Sequence, residues 1–227
     1  MNPYGFLFGP KATVNVGGMM TFTTADYLRF QGTDTQFSKV STPESLGLLS
    51  TVPVAAFGFL GSNPNPAAIA IQGSTLHVAQ GQSLSFIGGN TGFNYTNPDT
   101  GKPASTSVPG GVTMTGGKLL AFGGQVNIAS VASPGDSPGE VSAIDFMPTS
   151  GMTMGKISLS QGALLDVSAD AAGTVRIHGG QFVIDGATIS ADTINTDGTT
   201  ISAVTNNVDD AQVAIDIYVT GGMSLAN

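Results

Sequence analysis

The sequence predicts an all-β fold, a parallel β-helix whose short strands wind into coils of roughly 20 to 24 residues. Apolar residues recur two positions apart along most of the chain, which is the period of a strand with one buried face. Corners rich in Gly, Gln, Asn and Asp interrupt these runs every seven to eight residues. Helical patterning is almost absent, and the 32 glycines among 227 residues suit tight corners between strands.

Apolar pairs mark the strands whose side chains should point inward. One strand offers two alternatives, because its inward pair could be either Leu119 and Ala121 or Leu120 and Phe122. The other pairs are Ile69 and Ile71, Leu76 and Val78, Leu84 and Phe86, Val112 and Met114, Val126 and Ile128, Ile157 and Leu159, Leu165 and Val167, Val175 and Ile177, and Phe182 and Ile184. Ile189, Ile194, Ile201 and the alternating stretch 212–219 continue the pattern.

The spacing of the corners separates a β-helix from a β-sandwich. Sandwiches built from hairpins usually space their turns by about 8–12 residues and use longer strands. Three short strands, each followed by a corner, make one coil here, and each strand is expected to stack on its equivalent one coil along, about 4.8 Å away. Gly, Asn and Asp at the corners tolerate the backbone conformations that the bends require.

The pattern divides a single domain into three parts. Residues 1–18 form a first coil that opens on the turn sequence Asn-Pro-Tyr-Gly. Residues 19–61 contain longer alternating runs and are predicted to project from the solenoid as extra-helical strands, forming an antiparallel flap. Residues 62–227 continue the β-helix, with external loops at 90–111 and 132–153 that are dense in Pro, Gly and Ser.

Composition excludes several classes of protein. The chain has no cysteine, so it has no disulfide and no cysteine-based metal or redox site. Its net charge is −8, with eleven acidic residues against two basic ones from Asp136 onward, and this acidic half disfavours nucleic-acid binding. No apolar run reaches the length of about 18 residues that a membrane-spanning helix needs, and the N-terminus shows no secretory signal.

Catalytic and metal-binding patterns are weak. His77 and His178 each occupy an outward position of a strand and are interpreted as solvent-facing. Four aspartates could align on one face as in β-helical polysaccharide lyases or hydrolases, but one arginine is the only basic residue near them, aromatic residues for sugar stacking are scarce there, and corner use is the commoner role of Asp. These residues are Asp166, Asp170, Asp185, Asp192 and Arg176. Turns at 195–200 and 206–210 offer oxygen ligands for Ca²⁺, although structural use is favoured. No catalytic residue, metal ligand or cofactor is predicted.

The opening segment resembles a known secretion signal. "NPYGFLFGPKATVNVGG" followed by "FTTADYLRF" is similar to the Asn-Pro-Asn-Gly-Ile segment of the two-partner secretion domain, which begins the filamentous haemagglutinin-like adhesins of Gram-negative bacteria. Tyr4 stands where the family usually has Asn, a change that a type I turn tolerates. The matching positions are Asn2, Pro3, Gly5, Phe8, Gly9, Ala12, Val14, Val16, Gly17, Gly18, Thr24, Ala25 and Asp26.

The resemblance implies a right-handed β-helix that is not an enzyme. It implies a secreted or cell-surface structural or adhesive protein, exported through an outer-membrane transporter, with a host-cell or glycan receptor as a further partner. Family members carry a signal peptide and further residues before this motif, so the chain is expected to be a slice of a longer solenoid or a shortened relative. The alternatives are a filament subunit that self-associates end to end through uncapped coils and, as a minor one, a polysaccharide-active enzyme.

Overall fold

The computed structural model describes residues 1–31, 36–38, 54–60, 66–97, 100–138, 152–194, 200–202 and 215–226. These residues form strands joined by turns. Among them no helix is long and apolar enough to cross a membrane. The turns at 195–199 and 206–210, which were considered for Ca²⁺, lie outside the described residues, as do 139–151 of the second external loop and much of the segment 19–61.

The chain winds through successive coils, each made of three strands. The first coil contains β1 (Phe6–Phe8), β2 (Thr13–Val16) and β3 (Met20–Thr23). After an excursion through β4 (Tyr27–Phe30), β5 (Gln36–Ser38) and β6 (Val54–Phe59), the second coil contains β7 (Ile69–Gln72), β8 (Thr75–Val78) and β9 (Ser83–Gly89). The short strands β10 (Thr96–Asn97) and β11 (Lys102–Pro103) precede the third coil.

The remaining coils follow the same order. The third coil contains β12 (Val112–Thr115), β13 (Lys118–Leu120) and β14 (Gln125–Val131), and β15 (Gly135–Pro138) comes after it. The fourth contains β16 (Lys156–Ser160), β17 (Leu164–Asp166) and β18 (Thr174–Gly179). The fifth contains β19 (Gln181–Asp185), β20 (Thr188–Ser190) and β23 (Ile215–Val219), interrupted by β21 (Asp192–Ile194) and β22 (Thr200–Ser202), and β24 (Met223–Ala226) begins a sixth.

Equivalent strands of successive coils pair in parallel and form three sheets. Sheet A has the order β1-β7-β12-β16-β19-β24, sheet B the order β2-β8-β13-β17-β20, and sheet C the order β3-β9-β14-β18-β23. Lys156 pairs with Gln181, 25 residues later, in the coil that no insertion interrupts. The predicted parallel β-helix is therefore confirmed, with a coil slightly longer than the estimate.

The core lies between the three sheets and is built from stacked aliphatic side chains. Ile69, Val112, Ile157 and Phe182 follow one another in register on sheet A, and all four are buried. The two alternatives at the third coil are resolved, since Leu119 and Ala121 are fully buried while Leu120 and Phe122 are only partly buried. Leu119 stacks between Leu76 and Leu165, so the register of sheet B decides which leucine points inward.

An antiparallel sheet covers the outside of sheet C. Its strand order is β15-β6-β4-β5. Phe57 and Phe59 from this sheet pack with Ile87, Ala129 and Val131, which point outward from sheet C, and form a second apolar core. Extra-helical strands therefore exist as predicted. β3, however, belongs to the first coil, because it pairs in parallel with β9, and β15 is a strand within a segment that was predicted as a loop.

The segment 90–111 covers part of sheet A. Its strands β10 and β11 form an antiparallel pair. Val108 is buried against Ala68 and Ala70, and Phe93 and Tyr95 pack against the same small cluster. The antiparallel sheet thus packs on sheet C and the segment 90–111 packs on sheet A, and neither of these two packings involves sheet B.

Candidate functional site

The Asn-Pro-Tyr-Gly sequence forms a β-turn at the start of the first coil. The backbone N–H of Gly5 donates to the carbonyl of Asn2 at 3.2 Å, which closes the turn. The Asn2 side chain adds two bonds, with Nδ2 donating to the Gly5 carbonyl at 2.8 Å and Oδ1 accepting from the Tyr4 N–H at 3.2 Å. Asn therefore serves as both donor and acceptor, whereas the Tyr4 side chain is 66% exposed and takes no part in these bonds.

Gly5 is required at this turn for two reasons. Its φ is +106°, a conformation that residues with a side chain rarely adopt. A Cβ at this position would also overlap the ring of Phe93, with Cδ1 only 2.7 Å away. Phe93 comes from the external segment 90–111, so the turn and that segment are packed directly on each other.

The turn is also bonded to the end of its own coil and to the next coil. The Asn2 N–H donates to the Thr23 carbonyl at 2.9 Å. The Pro3 carbonyl accepts from the Ala67 N–H at 3.0 Å, and Pro3 itself is buried. These bonds join the first residues of the motif to the place where the chain leaves the first coil.

Thr24, Ala25 and Asp26 form the junction between the solenoid and the antiparallel sheet. The Thr24 hydroxyl accepts from the Gly89 N–H at 2.7 Å, which holds the junction on sheet C. Ala25 is fully buried in the apolar core under the antiparallel sheet. Asp26 is 1% exposed, and its Oδ2 accepts from the Leu60 N–H at 2.8 Å, so this carboxylate joins both ends of the excursion.

Phe8 belongs to an aromatic cluster inside the first two coils. Its ring makes an edge contact with Phe22 at 4.8 Å between centroids and another with Phe86 at 6.2 Å. Phe6 stacks on Phe8 at 6.1 Å. Edge-to-face and offset pairs of this kind add stability beyond the burial of their area. Phe86 is fully buried, whereas Phe6, Phe8 and Phe22 are partly exposed at this end of the solenoid.

The remaining motif residues line the rim of the first coil. Gly9 accepts bonds at its carbonyl from the Ala12 N–H at 3.0 Å and from the Ser74 hydroxyl at 2.9 Å. Val14 and Val16 pair with Leu76 and Val78 of the second coil. In the part of the chain that the structure describes, a Cβ on Gly9, Gly17 or Gly18 would have no atom within 4 Å. Their lack of a side chain is therefore not explained by contacts in this structure.

The structure thus brings the two ends of the motif together around Asn2 and Thr23. Sequence reasoning missed Phe93, Thr23 and Ala67, which complete this corner. Phe93 and Tyr95 stand in "NTGFNY" as two aromatic residues in a Gly- and Asn-rich loop, which is a signal that the loop packs on the protein, although nothing in the sequence indicates the partner of Phe93.

The two histidines differ in their surroundings. The Nδ1 atom of His77 lies 3.2 Å from Oδ1 of Asn15 on the surface of sheet B. His178 points outward from sheet C as predicted, but it is only 3% exposed, so its interpretation as solvent-facing is wrong. It pairs with Ala129, whose side chain belongs to the second apolar core, and its Nε2 lies 3.8 Å from Oδ2 of Asp216.

The aspartates considered for catalysis serve the corners of the coils. Oδ1 of Asp166 accepts from the Ser168 N–H at 3.0 Å, and Oδ2 of Asp192 accepts from the Ser190 hydroxyl at 2.7 Å. Asp170 and Asp185 are exposed elsewhere. Within the described ranges no three His, Asp or Glu side chains gather in a way that could hold a metal ion.

Comparison with known proteins gives one match. The family model described as the TPS secretion domain matches residues 1–177, which includes the whole motif and the first four coils up to β18. No curated protein and no solved structure matches the chain significantly.

Proposed function

The chain belongs to the TPS secretion domain family, and from this membership we propose that it is a structural and adhesive β-helix displayed on the surface of a Gram-negative bacterium. Family membership makes it a two-partner-secreted protein of the filamentous haemagglutinin type, with an outer-membrane transporter as its partner. The adhesive role, the surface location and the roles of individual residues are the proposal.

The observation that carries the proposal is the corner around Asn2. The Asn2 N–H bonds to Thr23, Gly5 packs against Phe93, and Asp26 holds the return of the antiparallel sheet at Leu60. The motif residues therefore act mainly as folding contacts that join the first coil to the antiparallel sheet and to the segment 90–111. Tyr4, which is exposed beside them, is the side chain available to the transporter.

Export measurements test this division of roles. The chain would be produced behind a signal peptide in a Gram-negative host, with and without the transporter, and the secreted fraction measured. Asn2→Ala should lower secretion at least about fivefold, because the corner loses both side-chain bonds, each of which contributes about 1 kcal/mol. The matched control Asn15→Ala changes an exposed Asn on β2 and should secrete normally.

A second pair of measurements separates folding from recognition. Tyr4→Ser should reduce export while leaving the unfolding midpoint of the purified chain unchanged, whereas Asn2→Ala should lower both. Secretion that does not depend on the transporter, or that is unaffected by both variants, contradicts the proposed role of the motif.

Adhesion would use the side chains on the outside of a stiff rod. Lys102, the first residue of β11, and Thr100 just before the strand are exposed in the segment that covers sheet A. We expect the labelled chain to bind host cells or a glycan array, with Lys102→Glu weakening the binding, and to release no reducing ends from acidic polysaccharides. Product release would favour the enzymatic alternative.

A second candidate function is a filament subunit that stacks end to end. The first strands of the three sheets, β1, β2 and β3, leave one edge without a strand partner among the described residues, and β24, β20 and β23 do so at the other edge. Met223 and Leu225 continue the inward ladder beyond Phe182 and Ile184, yet they are 50% and 67% exposed. Strand edges and apolar ends of this kind can template another copy in the same direction.

Electron microscopy distinguishes the two candidates. Short particles support the adhesin alone, whereas fibres of uniform diameter support stacking. Leu225→Asp should abolish fibres that grow through the coil ends, and Leu60→Asp, which changes a 54% exposed leucine directly after β6, should not.

A further inference from the structure

The outward side of sheet B carries an unusual block of four residues in the third and fourth coils. Lys118 pairs with Leu164, and Leu120 pairs with Asp166. All four point outward, because Leu119 and Leu165 between them are fully buried in the core. The two leucines thus occupy one diagonal of the block, and the two opposite charges occupy the other diagonal.

The neighbouring residues extend the apolar part of this block. His77 pairs with Leu120 one coil earlier, and its ring lies 5.9 Å from that of Phe122. Leu120, Leu164 and Phe122 are apolar, although they lie on the outside of the solenoid, and each is partly buried. At the equivalent outward positions of sheet A, the same two coils carry Thr113, Thr115, Ser158 and Ser160.

Within the described ranges, the two charges in this block make little contact with the rest of the chain. Lys118 is exposed and forms no ion pair within 4 Å with any other described residue. Asp166 accepts the Ser168 N–H at Oδ1, and no bond to its Oδ2 is seen among the described residues. The exposed lysine beside two outward leucines, with a carboxylate diagonally across from it, gives this face an apolar part and a part with complementary charges.

We propose that sheet B is a contact surface for a second copy of this chain, with the two copies related by a twofold axis along the Leu120–Leu164 diagonal. A twofold contact is self-complementary, so each residue on the axis meets its own copy. Rotation about this diagonal puts Leu120 on Leu120 and Leu164 on Leu164. It also puts Lys118 opposite Asp166 of the second copy, and Asp166 opposite Lys118 of the second copy.

The same rotation accounts for the aromatic residues. His77 lies one coil before Leu120, and Phe122 lies two residues after Leu120, in the turn that follows β13, so the axis brings each near the position of the other. His77 of one copy therefore faces Phe122 of the other. The contact has an apolar centre with charged pairs beside it, which is the usual arrangement in protein interfaces. Its charge pattern favours this one orientation over others.

The size of the surface predicts a weak complex. Five strands spaced about 4.8 Å apart give sheet B a length of about 20 Å along the solenoid. A contact confined to this face buries less than the roughly 800 Å² per partner of a standard interface. Pairing should therefore depend on protein concentration and should be reversible. It is lateral, and so distinct from stacking through the coil ends.

Cysteine cross-linking gives the sharpest test, because the chain has no cysteine. Leu120→Cys places the new thiol on the axis, so oxidation of the concentrated full chain should give a covalent homodimer. Ser158→Cys on the outside of sheet A is the matched control and should cross-link at least about tenfold more slowly. Equal rates for the two variants would overturn the proposal.

Charge reversal tests the orientation independently. Lys118→Asp should weaken dimerisation about tenfold or more in sedimentation equilibrium, because it brings like charges together twice. Asp166→Lys should do the same, and a mixture of the two variants should form heterodimers, because opposite charges then meet at both positions.

A chain that is monomeric at all concentrations, or dimers that are unaffected by Lys118→Asp and Leu120→Asp, would overturn the proposal. Loss of cell or glycan binding in Leu120→Asp, without any cross-linking of Leu120→Cys, would assign the face to another ligand.

Discussion

The ring of Phe93 lies directly against the α-carbon of Gly5, although the two residues are 88 positions apart in the chain. The contact joins the opening turn to the segment that covers sheet A, where Phe93 packs near Ala68 and Ala70. The first coil is therefore stabilised by a residue that the chain supplies only after the second coil is complete.

Gly5→Ala should destabilise the first coil strongly. The new Cβ would overlap Phe93, and alanine would be forced to adopt a φ of +106°. Backbone strain of this kind costs about 1–3 kcal/mol, and the displaced ring adds to it. Denaturant unfolding of the purified chain should show the loss.

Gly9→Ala provides the control for this measurement, because a Cβ there has no atom within 4 Å among the described residues. It should change the free energy of unfolding by less than about 0.5 kcal/mol. The double variant Gly5→Ala/Phe93→Ala separates the two causes, since it removes the overlap and leaves the strain. Equal stability of the Gly5 and Gly9 variants would contradict the steric explanation.

The side chain of Asn2 gives a graded prediction. Asn2→Asp keeps the acceptor for the Tyr4 N–H but loses the Nδ2 donor to the Gly5 carbonyl, while Asn2→Ala loses both bonds. Each bond contributes about 1 kcal/mol, so the free energy of unfolding should fall in the order wild type, Asp, Ala. Thermal unfolding at neutral pH measures the order. An Asp variant as stable as wild type would show that the Nδ2 bond contributes nothing.

Adjacent leucines on β13 test the inward and outward assignment. Leu119→Ala removes a fully buried side chain from the core and should cost about 2–5 kcal/mol. Leu120→Ala changes a partly buried outward residue and should cost under about 1 kcal/mol in dilute solution. Denaturant titration of both variants compares them directly. The opposite ranking would require the register of sheet B to shift by one residue.

Much of the fold could be predicted because successive side chains of a strand point to opposite faces, so that inward residues recur at every second position. Ile157 and Leu159, for example, had to share a face, and their stacking on Val112 and Met114 follows from the coil repeat. At Leu119 and Leu120 the period alone was ambiguous, because both registers offered apolar residues, and only the stacking with Leu76 and Leu165 decides between them.

The packing of the antiparallel sheet on the outside of the solenoid could not be predicted from the local alternation of apolar and polar residues. β15 pairs with β6, so that Asp136 lies opposite Gly58, and no local signal links two strands so distant in sequence. The burial of His178 was not predictable from local pattern either, since its neighbours Ala129, Asp216 and Tyr218 come from other coils of sheet C. The corner around Asn2 was recognised from its residues, but its bond to Thr23 required the path of the whole first coil.

Gly58 offers a test of how the antiparallel sheet is held. Tyr27 pairs with Gly58, and its ring lies over the glycine, so that a Cβ there would overlap Cζ and both Cε atoms. Gly58→Ala should therefore loosen β4 and β6 while the three parallel sheets remain folded, which hydrogen exchange can resolve strand by strand. Protection should fall for Leu28 and Phe57 and stay unchanged for Ile157 and Ile177. Tyr27→Ala/Gly58→Ala should recover part of the protection, because the ring is no longer in the way. If protection falls equally in the antiparallel sheet and in the solenoid core, the two do not open separately, and the covering sheet is an integral part of the coil's stability.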